Sequence, residues 1–191
     1  ATTQKSFARI LGAYERYELH AVLHGLVDLC NIELSAFYLD VLKDRLYASR
    51  AESPARRSAQ SAIFLISRDL LRTMAPIFSF TAEEAWAFLP KLPEDPDSVH
   101  LARYPGIGEP ERVRVMRDAV ARAPAAQLES FASARELRKQ VNAALEQERN
   151  AKLIGASIEA AVHLRLPPAE LAKIEALSTA ELADLFIVSE V

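Results

Sequence analysis

The chain has 191 residues, of which 50% are hydrophobic and 26% are charged, a composition typical of globular rather than disordered proteins. Its net charge of -3 provides no overall positive field, so any nucleic-acid binding must come from local patches and shape. The single cysteine, Cys30, excludes an internal disulfide and a zinc cluster built from cysteines of this chain.

The sequence gives no sign of a membrane segment or a signal peptide. We find no apolar run that approaches the ~20 residues needed for a membrane-spanning helix, which predicts a cytoplasmic protein without membrane contact. The chain starts at Ala1 rather than at Met, and it ends in the apolar run Leu185–Val191. We therefore expect a fragment of a longer protein.

Helical periodicity dominates the first part of the chain. A first helix is predicted around Phe7–Tyr14, and a second runs from Glu18 to about Tyr47. The second contains no proline and only one glycine, Gly25, and it would be about 45 Å long at 1.5 Å per residue. A helix of this length is typical of a helical bundle.

The next helix has a clear predicted start and end. Ser53 is placed to cap the helix, and Pro54 occupies the first helical position, where its missing N–H costs nothing. Pro76 ends this helix near Ala75. The predicted inner face consists of Ala59, Ile63, Ile66, Leu70 and Met74.

A short helix and a linker follow. Thr81 and Glu84 have the spacing of a capping box, which would open a helix carrying Trp86 as a core residue. The linker extends from Pro90 to Pro110 and is rich in proline. Within it we expect an extended segment at Ser98–Tyr104 and a solvated acidic loop at Glu94, Asp95 and Asp97.

The last third combines helices with two predicted strands. Helices are expected at Glu111–Ala121, Gln127–Asn150 and Glu170–Leu177, with a second capping box at Ser178–Glu181 and strands at Ile158–Leu166 and Leu185–Val191. The predicted fold is therefore mainly α, an antiparallel helical bundle with a small C-terminal α+β unit. The predicted domains are a bundle (1–104), a linker with junction helices (105–152) and the α+β unit (153–191).

The sequence contains no catalytic motif that we can identify. It has no glycine-rich phosphate loop, no HExxH or CxxC spacing and no nucleophile elbow. His20 and His24 have the spacing of two metal ligands on a helix, but no suitable third ligand accompanies them. We therefore predict neither catalytic nor metal-binding residues.

Positive charges gather where the second predicted helix ends and the third begins. Lys43, Arg45, Arg50, Arg56 and Arg57 surround a short turn, and Tyr47 lies beside them. Arginine and lysine bind phosphates, and aromatic rings stack on unpaired bases, so this hairpin end is suited to folded RNA. The alternative is that these charges only keep the end of the hairpin soluble.

Three stretches of the sequence together resemble one family. They are FYLDVLKDRLYAS at 37–49 with ARRSAQ at 55–60, PIFSFTAEEAW at 76–86, and LRKQVNAALEQERNAKLIG at 137–155. This combination is similar to the anticodon-binding bundle and the following junction of bacterial isoleucyl-tRNA synthetases. The resemblance runs from about Tyr14 to Val162. It departs from the usual pattern at 130–138, which lacks a tryptophan often found there.

The resemblance implies a role in a larger enzyme. Such class I ligases use ATP and Mg²⁺ to load isoleucine onto its tRNA, and the bacterial form typically ends in a four-cysteine zinc module. Their HIGH-like and KMSKS-like motifs and the zinc module are missing from this sequence. The resemblance therefore implies a monomeric, catalytically inactive fragment that needs no cofactor and binds the anticodon arm of isoleucine tRNA.

The resemblance also indicates which residues contact tRNA. It places Lys43, Arg45, Arg56, Arg57 and Gln60 in the anticodon-binding hairpin, beside Tyr47 and Arg50. It places Arg138, Arg149 and Lys152 in the junction, where they either follow the tRNA backbone or pack the α+β unit onto the bundle. Two alternatives to the assignment are the corresponding domain of a valyl- or leucyl-tRNA synthetase and a helical scaffold that binds an acidic protein.

Overall fold

The computed structural model describes residues 2–104 and 109–191, without the side chains of Val120 and Ala121. The prediction of a mainly α fold is confirmed, because helices account for most of the described residues and none of those residues belongs to a strand. The chain divides into two compact units, Ala1–Ala121 and Arg122–Val191.

The first unit is built from helices that follow one another through short connections. They are α1 (Thr2–Glu15), α2 (Leu19–Asp28), α3 (Asp40–Tyr47), α4 (Pro54–Met74), α5 (Ser79–Phe88) and α6 (Glu111–Ala121). A stretch of π-helix, Leu29–Leu39, joins α2 to α3 without a break, so the predicted long helix is continuous from Leu19 to Tyr47. A short 3₁₀ turn, Val99–Leu101, replaces the extended segment expected in the linker.

The first core forms where α1 packs against α2. Phe7, Ile10 and Ala13 of α1 are buried with Val22 and Leu26 of α2. Gly25 lies where the two helices approach closely, because a Cβ atom at this position would be 2.8 Å from Ile10 Cγ1. The glycine that weakens the helical pattern in the sequence therefore allows the two helices to pack closely.

Trp86 organises the second core of this unit. Its side chain is completely buried with Leu71, Ala75 and Val99, and its indole N–H donates a 3.0 Å hydrogen bond to the carbonyl oxygen of Pro96. The prediction that Trp86 is a core residue is confirmed. Because Trp86 belongs to α5 and its contacts Pro96 and Val99 belong to the linker, burial of this side chain attaches the linker to α5.

Of the helix starts predicted for α4 and α5, the first is confirmed and the second is wrong. Ser53 caps α4 as expected, since its Oγ accepts a hydrogen bond from the Arg56 N–H. The capping box predicted at Thr81 is wrong, because α5 already begins at Ser79. The Ser79 hydroxyl donates to the carbonyl oxygen of Ala75, so the chain turns directly from α4 into α5.

The continuous helix from Leu19 to Tyr47 is apolar on its exposed side as well as on its buried side. Its exposed large apolar residues include Leu19, Val27 and Ile32. By length and composition it meets the criterion for a membrane span, because an 18-residue window within it has a mean hydropathy of 1.3, which corrects the expectation that no segment of this chain would do so. One such helix is weak support for a membrane span, because the core helix of a soluble protein passes the same test.

The second unit contains α7 (Ala125–Asn150), α8 (Pro168–Leu171) and α9 (Thr179–Phe186), with a 3₁₀ turn at Ser157–Glu159. The predicted capping box is present, because Ser178 and Glu181 exchange hydrogen bonds at the start of α9. The helix predicted at Glu170–Leu177 is reduced to the four residues of α8 and the turns that follow it.

The two predicted strands of this unit are wrong. Ala161 and Glu190 form a single parallel bridge, and no longer ladder occurs in the described residues. Leu182, Leu185 and Phe186 are buried at helical spacing, and α9 packs against α7. α9 takes up only Leu185 and Phe186 of the predicted second strand. Ile187 then turns the chain with a φ of 59°, in the left-handed region, so the rest of that run does not continue as a strand.

Candidate nucleic-acid interface

The candidate site is the hairpin tip, defined as residues 43–60. It comprises most of α3, the connection from Ala48 to Ser53, and the first turns of α4, which packs against α3. Pro54 and the Ser53 cap start α4 abruptly, so the connection between the helices is short. The tip therefore places the ends of two packed helices and one tight turn together.

Lys43 and Tyr47 are the most accessible predicted contacts on α3. The Lys43 side chain is 70% exposed, and its Nζ lies 2.9 Å from Asp40 Oδ1, one turn earlier in the helix. Tyr47 is 83% exposed in the last turn of α3. An exposed pair at this spacing stabilises a helix by only ~0.2–0.5 kcal/mol, so a phosphate can replace the carboxylate at low cost.

The other tip residues differ in how far they are committed to contacts within the protein. Arg50 and Gln60 are exposed, and Arg45 is half-buried. Arg57 is exposed and pairs with Glu52 at 2.9 Å. Arg56 is half-buried, and its guanidinium donates a 2.8 Å hydrogen bond to the carbonyl oxygen of Ser49.

The predicted junction residues lie along α7 and just beyond it. Arg138 is only 7% exposed, so little of its side chain is accessible to a ligand in this structure. Arg149 is exposed, pairs with Glu146 and donates a 3.0 Å hydrogen bond to the Ser157 hydroxyl.

Lys152 is an exposed residue in an unusual backbone conformation. Its φ of 59° lies in the left-handed region, where it ends α7 in a Schellman motif. In that motif the Lys152 N–H donates to the carbonyl oxygen of Arg149, and the Leu153 N–H donates to the carbonyl oxygen of Glu148. A charged residue therefore occupies a position that normally favours glycine.

A second group of arginines is turned inward. We call it the arginine–carboxylate cluster, and it consists of Arg68, Arg72 and Arg117 with Asp69, Asp95 and Glu109. It connects α4 to α6 and to the linker between α5 and α6. No sequence motif marks these residues as a group, because partners such as Asp69 and Arg117 lie 48 residues apart in the chain.

Arg68 and Asp95 form the most enclosed pair of the cluster. Two hydrogen bonds of 2.5 and 2.6 Å join the guanidinium to both carboxylate oxygens, and both side chains are almost completely buried. Burial raises the pKa of Asp95, but its hydrogen bonds with Arg68 and the Leu92 N–H outweigh this effect and hold the pKa below its ordinary value. The expectation that Asp95 belongs to a solvated loop is wrong.

Arg72 and Arg117 share two carboxylates. Arg72 Nη2 lies 2.7 Å from Asp69 and 2.9 Å from Glu109, and Arg117 contacts the same two residues. Burial lowers the pKa of Arg117, but the hydrogen bonds with Asp69 and Glu109 outweigh burial and raise it overall. These side chains therefore hold the fold together and leave the hairpin tip as the exposed cationic surface of interest.

The described residues provide no group of three or more histidine, cysteine or acidic side chains arranged to hold a metal ion. His20 and His24 are both exposed on α2.

Two kinds of comparison with known proteins, with a family model and with individual relatives, point to tRNA ligases. Residues 1–164 match the family described as the anticodon-binding domain of tRNA ligase. Over 96% of the chain, the sequence is 43% identical to isoleucine–tRNA ligase from Syntrophotalea carbinolica and 41% identical to that from Geobacter sulfurreducens. It is 42% identical over 81% of the chain to isoleucine–tRNA ligase from Pectobacterium atrosepticum.

The matched region is a small part of these relatives. The chain spans 18% of the length of the first two and 15% of the third. The family match covers all of the first unit and continues into the second. This chain belongs to the anticodon-binding domain family of tRNA ligases.

Proposed function

We propose that the chain recognises the anticodon arm of isoleucine tRNA as part of an isoleucine–tRNA ligase. The observation that carries this proposal is the hairpin tip, which exposes Lys43, Tyr47 and Arg50 at the end of two packed helices in a chain of this family. Unpaired anticodon bases can stack on the tyrosine, and the cations can bind the phosphates between those bases.

We propose that the residues of the tip contact the tRNA in different ways, because their side chains differ in shape and charge. Lys43 acts as a compact point charge and Arg50 as a planar fork that can hold two phosphate oxygens. Arg45, Arg57 and Gln60 extend this surface, and Arg149 and Lys152 are proposed to contact the tRNA backbone from the second unit. We also propose that the bundle domain ends at residue 104 and that the linker with its junction helices ends at residue 152.

The ligase as a whole is proposed to be a cytoplasmic, monomeric enzyme that loads isoleucine onto tRNA with ATP and Mg²⁺. This chain is proposed to bind tRNA without carrying out catalysis. It holds a single cysteine, so a four-cysteine zinc module would belong to another part of the ligase.

Titration of labelled isoleucine tRNA into the chain at low salt tests this proposal, with valine tRNA as the competing ligand. We expect saturable binding that favours isoleucine tRNA and that weakens in Lys43→Ala. Lys139→Ala is the matched control, because Lys139 is 72% exposed and pairs with Glu136 at the same spacing as Lys43 with Asp40. Equal weakening by both substitutions, or equal affinity for both tRNAs, would contradict recognition by the tip.

A further inference from the structure

Arg56 differs from its neighbours in the hairpin tip because its guanidinium is directed toward the protein backbone. Its Nη1 donates a hydrogen bond of 2.8 Å to the carbonyl oxygen of Ser49, two residues after the end of α3. Its Nε is enclosed and has no hydrogen-bond partner. A side chain held in this way is less available to an RNA phosphate than the exposed side chain of Arg50.

The same region of backbone is fixed a second time on the other side of Arg50. The Ser53 N–H donates a 3.0 Å hydrogen bond to the carbonyl oxygen of Arg50, and the Ser53 hydroxyl accepts from the Arg56 N–H at 3.2 Å. The carbonyl groups before and after the Arg50 Cα atom are therefore both held from the start of α4.

We propose that Arg56 is a positioning residue, which fixes the backbone at Ser49 so that the Arg50 side chain is presented to RNA. This inference rests on the proposed function. A hydrogen bond from a charged donor is stronger than one between neutral groups, so the guanidinium is well suited to hold this carbonyl. Ordering the turn before RNA arrives removes an entropic cost from the binding step.

A double-mutant cycle separates positioning from direct contact. Arg56→Gln is expected to weaken binding of isoleucine tRNA about tenfold, because a charged hydrogen bond is lost. In an Arg50→Ala background the same substitution is expected to have little further effect, since the side chain that it positions is absent. Arg56→Lys retains a cationic donor and is expected to restore most of the affinity.

The salt dependence of binding gives an independent readout. Arg50→Ala is expected to reduce the log–log salt slope by about 0.7 for each lost phosphate contact. Arg56→Gln is expected to leave the slope of the unsubstituted chain unchanged, because Arg50 still contacts its phosphate in the complex and the affinity is lost in ordering the turn on binding. A reduced slope in Arg56→Gln, together with additive effects in the cycle, would show direct phosphate contact and overturn the positioning role.

Amide hydrogen exchange tests the same role without RNA. In Arg56→Gln we expect faster exchange at Ser49 and Ser53, while the amide of Val141 in the interior of α7 serves as the internal control. Unchanged exchange at Ser49 and Ser53 would overturn the role of Arg56. Absence of tRNA binding by the unsubstituted chain would instead overturn the proposed function, so the two failures are distinguishable.

Discussion

The hairpin tip and the arginine–carboxylate cluster use the same residue type in opposite ways. At the tip, Arg50 and Arg57 are exposed near the end of a helical hairpin. In the cluster, Arg68 and Arg72 are buried and held by carboxylates from the same helix and from the linker. The presence of an arginine in this sequence is therefore not enough to suggest a contact with RNA, because the guanidinium must also be accessible.

The two regions also differ in what their charges contribute to stability. A buried guanidinium that loses one partner, or a carboxylate that loses its guanidinium, leaves an uncompensated charge inside the protein. An exposed pair is solvated in both states and stabilises the fold by at most about 1 kcal/mol. Substitutions in the cluster should therefore affect folding, whereas substitutions at the tip should affect binding.

The largest effect is expected from Arg72→Ala. This substitution leaves Asp69 and Glu109 with only part of their compensating charge, and we expect the free energy of unfolding to fall by about 3–5 kcal/mol. Urea denaturation followed by circular dichroism measures the free energy of unfolding. Arg114→Ala is the control in α6, because Arg114 and Glu111 form an exposed pair, and its loss should cost less than about 1 kcal/mol. Similar losses for both variants would contradict the contrast.

The pH dependence of stability tests the Arg68–Asp95 pair. Because the folded-state pKa of Asp95 lies below its ordinary value of 3.8, the unfolded chain binds this proton more readily. The contribution of Asp95 to stability is therefore complete above that ordinary value, and it is lost as pH falls through the lowered pKa. In urea titrations between pH 7 and pH 2, Asp95→Asn should be less stable at pH 7 and should lose less stability on acidification. Parallel curves for the two proteins would rule out this linkage.

Tyr47 provides the corresponding test at the tip. If a base stacks on its ring, Tyr47→Ala should weaken tRNA binding by ~1–3 kcal/mol, while Tyr47→Phe, which keeps the ring, should bind nearly as well as the unsubstituted chain. Because Tyr47 is 83% exposed, neither change should alter the urea midpoint appreciably. A large loss of stability in Tyr47→Ala would place this residue with the structural group.

The smallest effect is expected at Lys152, where stability and binding should change in opposite directions. Glycine adopts the left-handed conformation of this residue without steric cost, so Lys152→Gly should raise the free energy of unfolding by about 1 kcal/mol. If Lys152 also contacts the tRNA backbone, the same substitution should weaken tRNA binding. Lys152→Ala removes the charge without relieving the backbone and is the control. A stability gain of equal size in Lys152→Ala would argue against backbone strain.

The sequence determined the features of this protein that depend on neighbouring residues. Helical periodicity gave the long helix ending at Tyr47, and the Ser53–Pro54 pair gave the start of α4. The capping box at Ser178 was likewise readable, because its two partners are three residues apart. These local signals located the hairpin tip, and motifs in and around it carried the resemblance to the family that the comparisons show.

Only the tertiary structure decided which charges are buried and which remain on the surface. Asp95 lies in a proline-rich, acidic segment that looks solvated in the sequence, but it pairs with Arg68, 27 residues earlier. Arg56 and Arg57 are adjacent in the chain, yet one is directed to the Ser49 carbonyl and the other to the exposed carboxylate of Glu52. The energy of a charge depends on its distance from solvent and from its partners, and those distances are fixed only when remote segments pack together.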